Sequence, residues 1–256
     1  SSDRNGSVQT YVMSIDGGEP TQLTFHSDGS RVAGWFPDGQ SLLIRGQRDQ
    51  YWRHAERFFR IAADKRSAEQ LLFDAYCSEP SISPDGTKVL FNREGERWWR
   101  KGYAGSRAAQ IWEYNLKEKK FTEIVNRDSE SRMPVWRGND GRAFLYVSGE
   151  GGSFNLWARH IESGEEEQLT DFGDDSVLWP TASANGSTIV FRHLFDFYRI
   201  DEKQAAPQKI EITIEGDQGY EDRLRRTLTP SKSRLSYFGY LPSPDTSSGL
   251  TSAQHF

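Results

Sequence analysis

Short runs in which apolar and polar residues alternate recur along the chain, and each follows the same kind of turn. The first is Trp35-Phe36-Pro37-Asp38-Gly39-Gln40-Ser41-Leu42-Leu43-Ile44. Ile82-Ser83-Pro84-Asp85-Gly86-Thr87-Lys88-Val89-Leu90-Phe91 repeats it, as does Trp136-Arg137-Gly138-Asn139-Asp140-Gly141-Arg142-Ala143-Phe144-Leu145-Tyr146. Ala182-Ser183-Ala184-Asn185-Gly186-Ser187-Thr188-Ile189-Val190-Phe191 is the fourth copy. The turn glycines fall at 39, 86, 141 and 186, spaced by 47, 55 and 45 residues. Asp-Gly and Asn-Gly supply the positive-φ position of a tight hairpin, so each marks a turn between antiparallel strands.

Two further elements keep step with the turns. Gln22-Leu23-Thr24, Gln70-Leu71-Leu72, Thr122-Glu123-Ile124 and Gln168-Leu169-Thr170 come before each turn. Arg57 to Ile61, Gln110 to Tyr114, Asn155 to Arg159 and Phe197 to Ile200 come after. The alternation has strand period. Each unit therefore reads as four short strands, a to d, and four-stranded units of this length are propeller blades.

The expected fold is all-β, a propeller of four-stranded antiparallel blades in a single domain over 1–256. Complete blades are expected over 32–73, 79–125, 133–170 and 178–214. Residues 8–24 supply strands c and d of a partial blade, with Val12-Met13-Ser14-Ile15 as its c strand. Residues 215–256 read as a degenerate closing blade, with strands near 225–229 and 235–240, or as an irregular tail. Six blades is the leading count; five, or an incompletely closed ring, are the alternatives.

Composition fits this picture. Of 256 residues, 35% are hydrophobic and 27% charged, low for a helical globule but suited to thin amphipathic strands. A chain this long buries roughly 70% of its unfolded surface without staples. No run of 18 apolar residues occurs, so membrane insertion through a helix is not expected. The net charge of −5 argues against a general nucleic-acid surface. Cys77 is the single cysteine, which excludes an internal disulfide and any cysteine-based metal cluster, and it reads as a small buried filler. The opening Ser1-Ser2-Asp3-Arg4-Asn5-Gly6 resembles neither a translation start nor a signal peptide.

Strand order separates two faces. The a–b and c–d turns share one, and the b–c and d–a loops share the other. Long b–c insertions at 45–56 and 92–109 therefore emerge from adjacent blades on the same face. They mix Arg48, Arg53, Arg97, Arg100, Lys101 and Arg107 with Tyr51, Trp52, Trp98, Trp99 and Tyr103. An arginine fork beside an indole clamps a carboxylate and packs an apolar side chain, chemistry suited to a peptide with an acidic group or a free carboxyl terminus. The candidate ligand-binding set is Arg48, Asp49, Tyr51, Trp52, Arg53, Arg97, Trp98, Trp99, Arg100 and Tyr103. The competing structural reading folds Trp98 and Trp99 back as a satellite core and makes Arg48 and Asp49 a local loop-stabilising pair.

Other residues read as structural. Trp112, Trp157 and Phe197 occupy equivalent c-strand positions and are expected in the core. Asp38, Asp85 and Asp140 are turn formers. His54, in a suspected functional loop, and His193, at a strand end beside Asp196, are the histidines placed to act as a general base, and a solvated or packed role is the expected one for both. No His-Glu-x-x-His, Gly-x-Ser-x-Gly, phosphate loop or dinucleotide fingerprint occurs, and no catalytic residue, metal or cofactor is expected. The Asn5-Gly6-Ser7 and Asn185-Gly186-Ser187 sequences read as turns.

The blade motifs also resemble a known family. Trp35 to Gly39, Ile82 to Gly86 and Gly17-Gly18-Glu19-Pro20-Thr21-Gln22-Leu23-Thr24 are similar to TolB-type repeats, most closely those of the amino-terminal six-bladed propeller of tricorn protease and its bacterial homologues. Arg45 to Asp49, Arg107 to Trp112 and Gly151 to Trp157 point to the same branch. The resemblance covers roughly residues 8–218. It implies a propeller that is not itself the catalyst but binds, filters or channels peptides for a serine-protease core elsewhere. A TolB-like adaptor docking onto a protein is the alternative, and a stand-alone propeller hydrolase or lyase is the third reading. Peptides or a protein partner, with a downstream protease domain, are the implied partners, and nucleic acid is not. The family context admits cytoplasm or periplasm, with the periplasm slightly favoured.

Overall fold

The structure is a computed structural model that describes residues 1–48, 56–95, 100, 102–202, 204–213, 241–242 and 249–250. The chain divides into two compact units, Ser1–Glu211 and Ile212–Phe256. The first opens with a two-stranded sheet, β1 (Tyr11–Val12) and β2 (Thr21–Gln22). Four antiparallel four-stranded sheets follow in chain order: β3 to β6 (Arg31–Trp35, Ser41–Gly46, Arg57–Ala62, Gln70–Leu71); β7 to β10 (Ser78–Ile82, Lys88–Arg93, Gln110–Asn115, Lys120–Val125); β11 to β14 (Ser131–Arg137, Ala143–Ser148, Asn155–His160, Glu166–Gln168); and β15 to β18 (Val177–Ala182, Thr188–His193, Asp196–Asp201, Gln204–Lys209). The first strands β3, β7, β11 and β15 abut one another from sheet to sheet. Four full blades and a partial one fit an all-β propeller of five or six blades, closed or open. In the second unit β19 (Leu241–Pro242) pairs antiparallel with β20 (Gly249–Leu250). The strands expected at 225–229 and 235–240 lie outside the described residues.

The hairpin residues act as turn chemistry requires. Asp38 Oδ1 accepts from the Gln40 amide at 2.8 Å, Asp85 Oδ1 from Thr87 at 3.0 Å, Asp140 Oδ1 from Arg142 at 3.0 Å and Asn185 Oδ1 from Ser187 at 3.2 Å. The Gln40 amide holds the Asp38 carboxyl below its ordinary pKa, and the Ser83 hydroxyl does the same for Asp85. Gly186 has a φ of 73° and lies so close to the preceding blade that a Cβ there would stand 3.0 Å from the Gly138 nitrogen. The glycine thus serves both the turn and the fit between blades.

Every first strand carries one extra residue against its neighbour, a β-bulge. In three blades the bulge puts a non-glycine residue at positive φ: Glu79 at 52°, Met133 at 55° and Trp179 at 51°. These residues link successive blades. The Met133 amide donates to Glu79 Oε2 at 3.0 Å, and the Trp179 amide donates to Met133 Sδ at 3.3 Å. Asn92, fully buried, strengthens the first link: its Nδ2 donates to the Ser131 carbonyl at 2.7 Å, and its Oδ1 accepts from the Met133 amide at 2.9 Å. The Trp136 indole donates to the Ser81 carbonyl at 3.1 Å across the same seam.

Apolar side chains fill the spaces between sheets. Phe58, Phe91 and Tyr114 pack between the first two full blades, with Phe73 and the buried Cys77. Leu90, Ile111, Phe144 and Tyr146 fill the next interface, and Leu145, Leu156, Ile189 and Phe191 the one after. The Gln-Leu-Thr element at the outer edge has a specific task. Thr24 Oγ1 accepts from the Thr10 amide and donates to Gln9 Oε1; Thr170 Oγ1 accepts from the Leu156 amide and donates to Asn155 Oδ1. A threonine hydroxyl thereby replaces one rung of the ladder.

Two details differ from the sequence reading. The c strand of the partial blade is Tyr11–Val12 rather than 12–15, because Ser14 opens a turn in which its carbonyl accepts from Gly17 N. Met13 and Ile15 are consequently exposed. Trp112 and Trp157 are equivalent to Tyr198, not Phe197: they lie opposite Phe91, Tyr146 and Phe191, whereas Phe197 lies opposite Arg192. A shift of one residue moves a side chain to the other face of the sheet. Phe197 is 44% exposed for that reason.

Candidate interaction face

The b–c and d–a loops place a set of arginines and aromatics at one end of the blades. Arg93, the exposed last residue of β8, holds its guanidinium over Trp112 at 4.8 Å. Arg100, exposed, lies over Tyr103 at 4.7 Å. Arg57 at the start of β5 covers Tyr76 at 4.7 Å and pairs with Asp74 at 2.7 Å. Such pairs keep the charged fork oriented while its flat face packs on a ring.

Of the sequence-derived candidates, Arg100 and Tyr103 come together. Arg48 is occupied by the fold: nine-tenths buried, it donates to the Gly29 carbonyl at 2.6 Å, pairs with Glu69 at 2.8 Å and covers Phe59 at 5.0 Å. It fastens the partial blade to the outer strand of the next. Asp49, Tyr51, Trp52, Arg53, Arg97, Trp98 and Trp99 lie outside the described residues, as does His54. Arg93 was not singled out from sequence. The signal for it was present, since Arg93 pairs across the ladder with Gln110 and Trp112 follows two residues later on the same side.

Two polar groups near this end serve packing. Arg127, in the loop between β10 and β11, covers Trp157 at 4.8 Å and pairs with Glu150 and Glu166. The buried Tyr146 hydroxyl donates to Glu166 Oε1 at 3.0 Å, and Arg159 Nη1 donates to the same oxygen at 2.7 Å. Burial is the largest single influence on Glu166 and raises its pKa, but the hydrogen bonds from Arg159 and Tyr146 and the charge of Arg127 outweigh it and hold the carboxyl low. Burial pushes the Tyr146 phenol well above its ordinary range. His193 is 3% exposed, stacked on Phe172 at 3.9 Å, with Nε2 3.2 Å from Asp174 Oδ1. Among the described residues no group of three or more His, Cys, Asp or Glu is placed to hold a metal, and no helix is long and apolar enough to cross a membrane.

Repeated four-stranded sheets, bulged first strands and a loop-bearing end define a β-propeller. The family described as the tricorn protease N-terminal beta propeller domain matches residues 1–206, and the chain belongs to that family. Its fold is similar to that of TolB from Acinetobacter baumannii, with a TM-score of 0.57 and 19% identity over 78% of this chain and 47% of that one. It is similar to a putative TolB from Agrobacterium tumefaciens, with a TM-score of 0.59 and 16% identity over 78% of this chain and 72% of that one. An oligogalacturonate lyase in complex with manganese has a TM-score of 0.58 and 15% identity over 81% of this chain and 60% of that one. The chain therefore spans about half of the first and somewhat under two thirds of the last. No curated protein matches it in sequence. The fold is one used by both TolB proteins and catalytic propellers.

Proposed function

We propose that this chain is a non-catalytic docking propeller that receives a protein partner on its loop face. The observation that carries this reading is the set of arginine–aromatic pairs at that end, above all Arg93 on Trp112 and Arg100 on Tyr103. Arginine, tyrosine and tryptophan are the residues that dominate binding energy at protein interfaces, and two guanidinium groups favour an acidic partner surface. The shared fold with TolB supports an adaptor role. Membership in the tricorn propeller family supports a finer reading, in which the partner is a peptide admitted or filtered for a serine-protease core located elsewhere.

The test begins with cross-linking in the native cell to identify the partner, followed by titration of that purified partner. A parallel titration uses peptide pools with free carboxyl termini, with mass spectrometry following fragments. Arg93→Glu with Arg100→Glu, both at exposed positions, is expected to weaken binding by about tenfold or more while the circular dichroism spectrum stays that of the folded chain. Binding to a folded protein but not to peptides selects the adaptor; binding to peptides selects the peptide-admitting role. Peptide cleavage by the chain itself, or affinity indifferent to the charge reversal, overturns the proposal.

A further inference from the structure

The outer strand of each four-stranded blade pairs on one side only, and in three of the four blades that edge is blunted. β6 has two residues, β14 has three, Glu166-Glu167-Gln168, all exposed, and β18 carries Pro207. Short length, charge of one sign and proline keep an edge from pairing. β10 differs: it has six residues and no proline, and Lys120, Phe121, Thr122 and Glu123 are exposed. The Leu116 amide donates to the Thr87 carbonyl across the β8–β9 seam. By alternation, Glu113 and Asn115 of β9 turn their backbone groups the other way, to Thr122 and Lys120 of β10. The amides and carbonyls of Phe121 and Glu123 therefore point outward. Among the described residues no backbone group pairs with them.

The side chains along this edge have an order. Lys119 ends the turn before β10, Phe121 follows two residues on, and Glu123 two residues after that. Phe121 is held by Tyr114 at 4.6 Å and Phe73 at 5.5 Å, which fixes its ring, yet it stays 38% exposed. The Glu123 carboxylate accepts from Asn126 Nδ2 at 3.1 Å. Around the turn and strand, Lys117, Lys119 and Lys120 stand against Glu118 and Glu123, so the edge is close to neutral but its signs are separated along its length. Read in the opposite direction, cation, ring and carboxylate become carboxylate, ring and cation. The edge is thus complementary to an antiparallel copy of itself.

We propose that β10 is a self-association edge, on which a second copy of this chain lays its own β10 antiparallel about a two-fold axis at Phe121. The Phe121 amide of each copy donates to the Phe121 carbonyl of the other, and the two rings meet side by side as a cross-strand pair. Glu123 of each copy lies opposite Lys119 of the other, and Lys120 lies opposite Thr122. The two-fold closes the contact, so it joins two copies and does not propagate. A register shifted to set Glu123 against Glu123 opposes like charges, which selects the Phe121-centred one. The contact spans residues 119–123 on each side and is smaller than a standard stable interface, so the dimer dissociates at about 0.1 mM. The edge shares no residue with the arginine–aromatic pairs of the loop face, and the proposal does not depend on the docking role.

The test is sedimentation velocity of the full chain from micromolar concentration up to about 1 mM, where a reversible monomer–dimer equilibrium is expected. Glu123→Pro removes an amide hydrogen that the β9–β10 ladder does not use and is expected to weaken association by about tenfold or more. Lys119→Glu and Glu123→Lys, both at exposed positions, are each expected to weaken it severalfold, and the two together to restore it, with the circular dichroism spectrum unchanged throughout. The register has its own readout. Lys120→Cys combined with Thr122→Cys is expected to give a disulfide-linked dimer on mild oxidation, and neither substitution alone to do so. A chain that stays monomeric at about 1 mM overturns the proposal, as does a dimer indifferent to Glu123→Pro or not restored by the charge exchange. Cross-linking by Thr122→Cys alone places the axis one residue away and overturns the Phe121-centred pairing. Association lost in the Arg93 and Arg100 variants but kept in Glu123→Pro puts the contact on the loop face and overturns it as well.

Discussion

Asn92→Ala isolates the polar seam between blades. The side chain is fully buried and spans from β8 to the first strand of the next blade, satisfying the Ser131 carbonyl and the Met133 amide. Truncation leaves the carbonyl without that donor, at a cost of about 1–3 kcal/mol for a buried group. The Met133 amide keeps Glu79 Oε2 at 3.0 Å, so its loss falls at the low end of the same range. Adding the space left by the amide group, the total is about 2–4 kcal/mol, a large fraction of the stability of an ordinary domain. Urea unfolding followed by tryptophan fluorescence measures it as a lowered midpoint. Asn115→Ala is the control: its Oδ1 accepts from the amides of Lys117 and Glu118 in an exposed turn, so its removal costs about 1 kcal/mol or less. Glu79→Ala combined with Asn92→Ala removes both acceptors of the Met133 amide, and the double variant is expected to lose more than the sum of the singles. A midpoint for Asn92→Ala no lower than that of the control, or strict additivity in the cycle, refutes the reasoning.

The other predictions rest on equally local features. Gly186→Ala combines positive φ with a Cβ 3.0 Å from the Gly138 nitrogen, whereas Gly39→Ala at φ 65° meets nothing within 4 Å. Thermal unfolding should show a cost of about 1–2 kcal/mol at Gly39 and more at Gly186; equal costs would show that the blades give way. Because the Glu166 carboxyl is held low, its contribution is present above the unfolded carboxylate pKa and lost as pH falls through the folded value. Glu166→Gln should therefore lower stability at pH 7 and reduce its loss on acidification, measured by urea midpoints at pH 3 and 7; an unchanged acid response counts against that role. Burial, aided by nearby Glu56, pushes the Cys77 thiol up, so iodoacetamide should label it only in denaturant. Rapid labelling in buffer contradicts the buried position.

The hairpins were legible because their chemistry is local: a carboxylate or amide two residues before the amide it accepts from, followed by a glycine at positive φ. The bulges left no such signal. Glu79, Met133 and Trp179 occupy a conformation that usually selects glycine, and what stabilises them lies in a blade some 50 residues away. Phe197 was misassigned because hydrophobicity marks a strand without fixing which residue opposes which; only the ladder register separates it from Tyr198. At the loop face, composition located the arginines and aromatics but not their pairings. Arg48 and Arg100 read alike in sequence, yet one is enclosed by Gly29, Glu69 and Phe59 and the other is exposed over the half-buried Tyr103 ring.

Side-chain links join successive blades. Glu79 receives the amide of Met133, and Met133 receives that of Trp179; Asn92 and Ser81 likewise accept from residues of the blade that follows. In these bonds the acceptor belongs to the blade made earlier and the donor to the one made later; the Asn92 amide and the Arg137 guanidinium run the other way, donating to the carbonyls of Ser131 and Gly186. A ribosome delivers the chain in blade order, so every emerging blade meets bonding groups of the preceding one that are already in place. The seams thus join each blade to its predecessor through groups of both polarities, an arrangement compatible with blade-by-blade accretion in the order of synthesis.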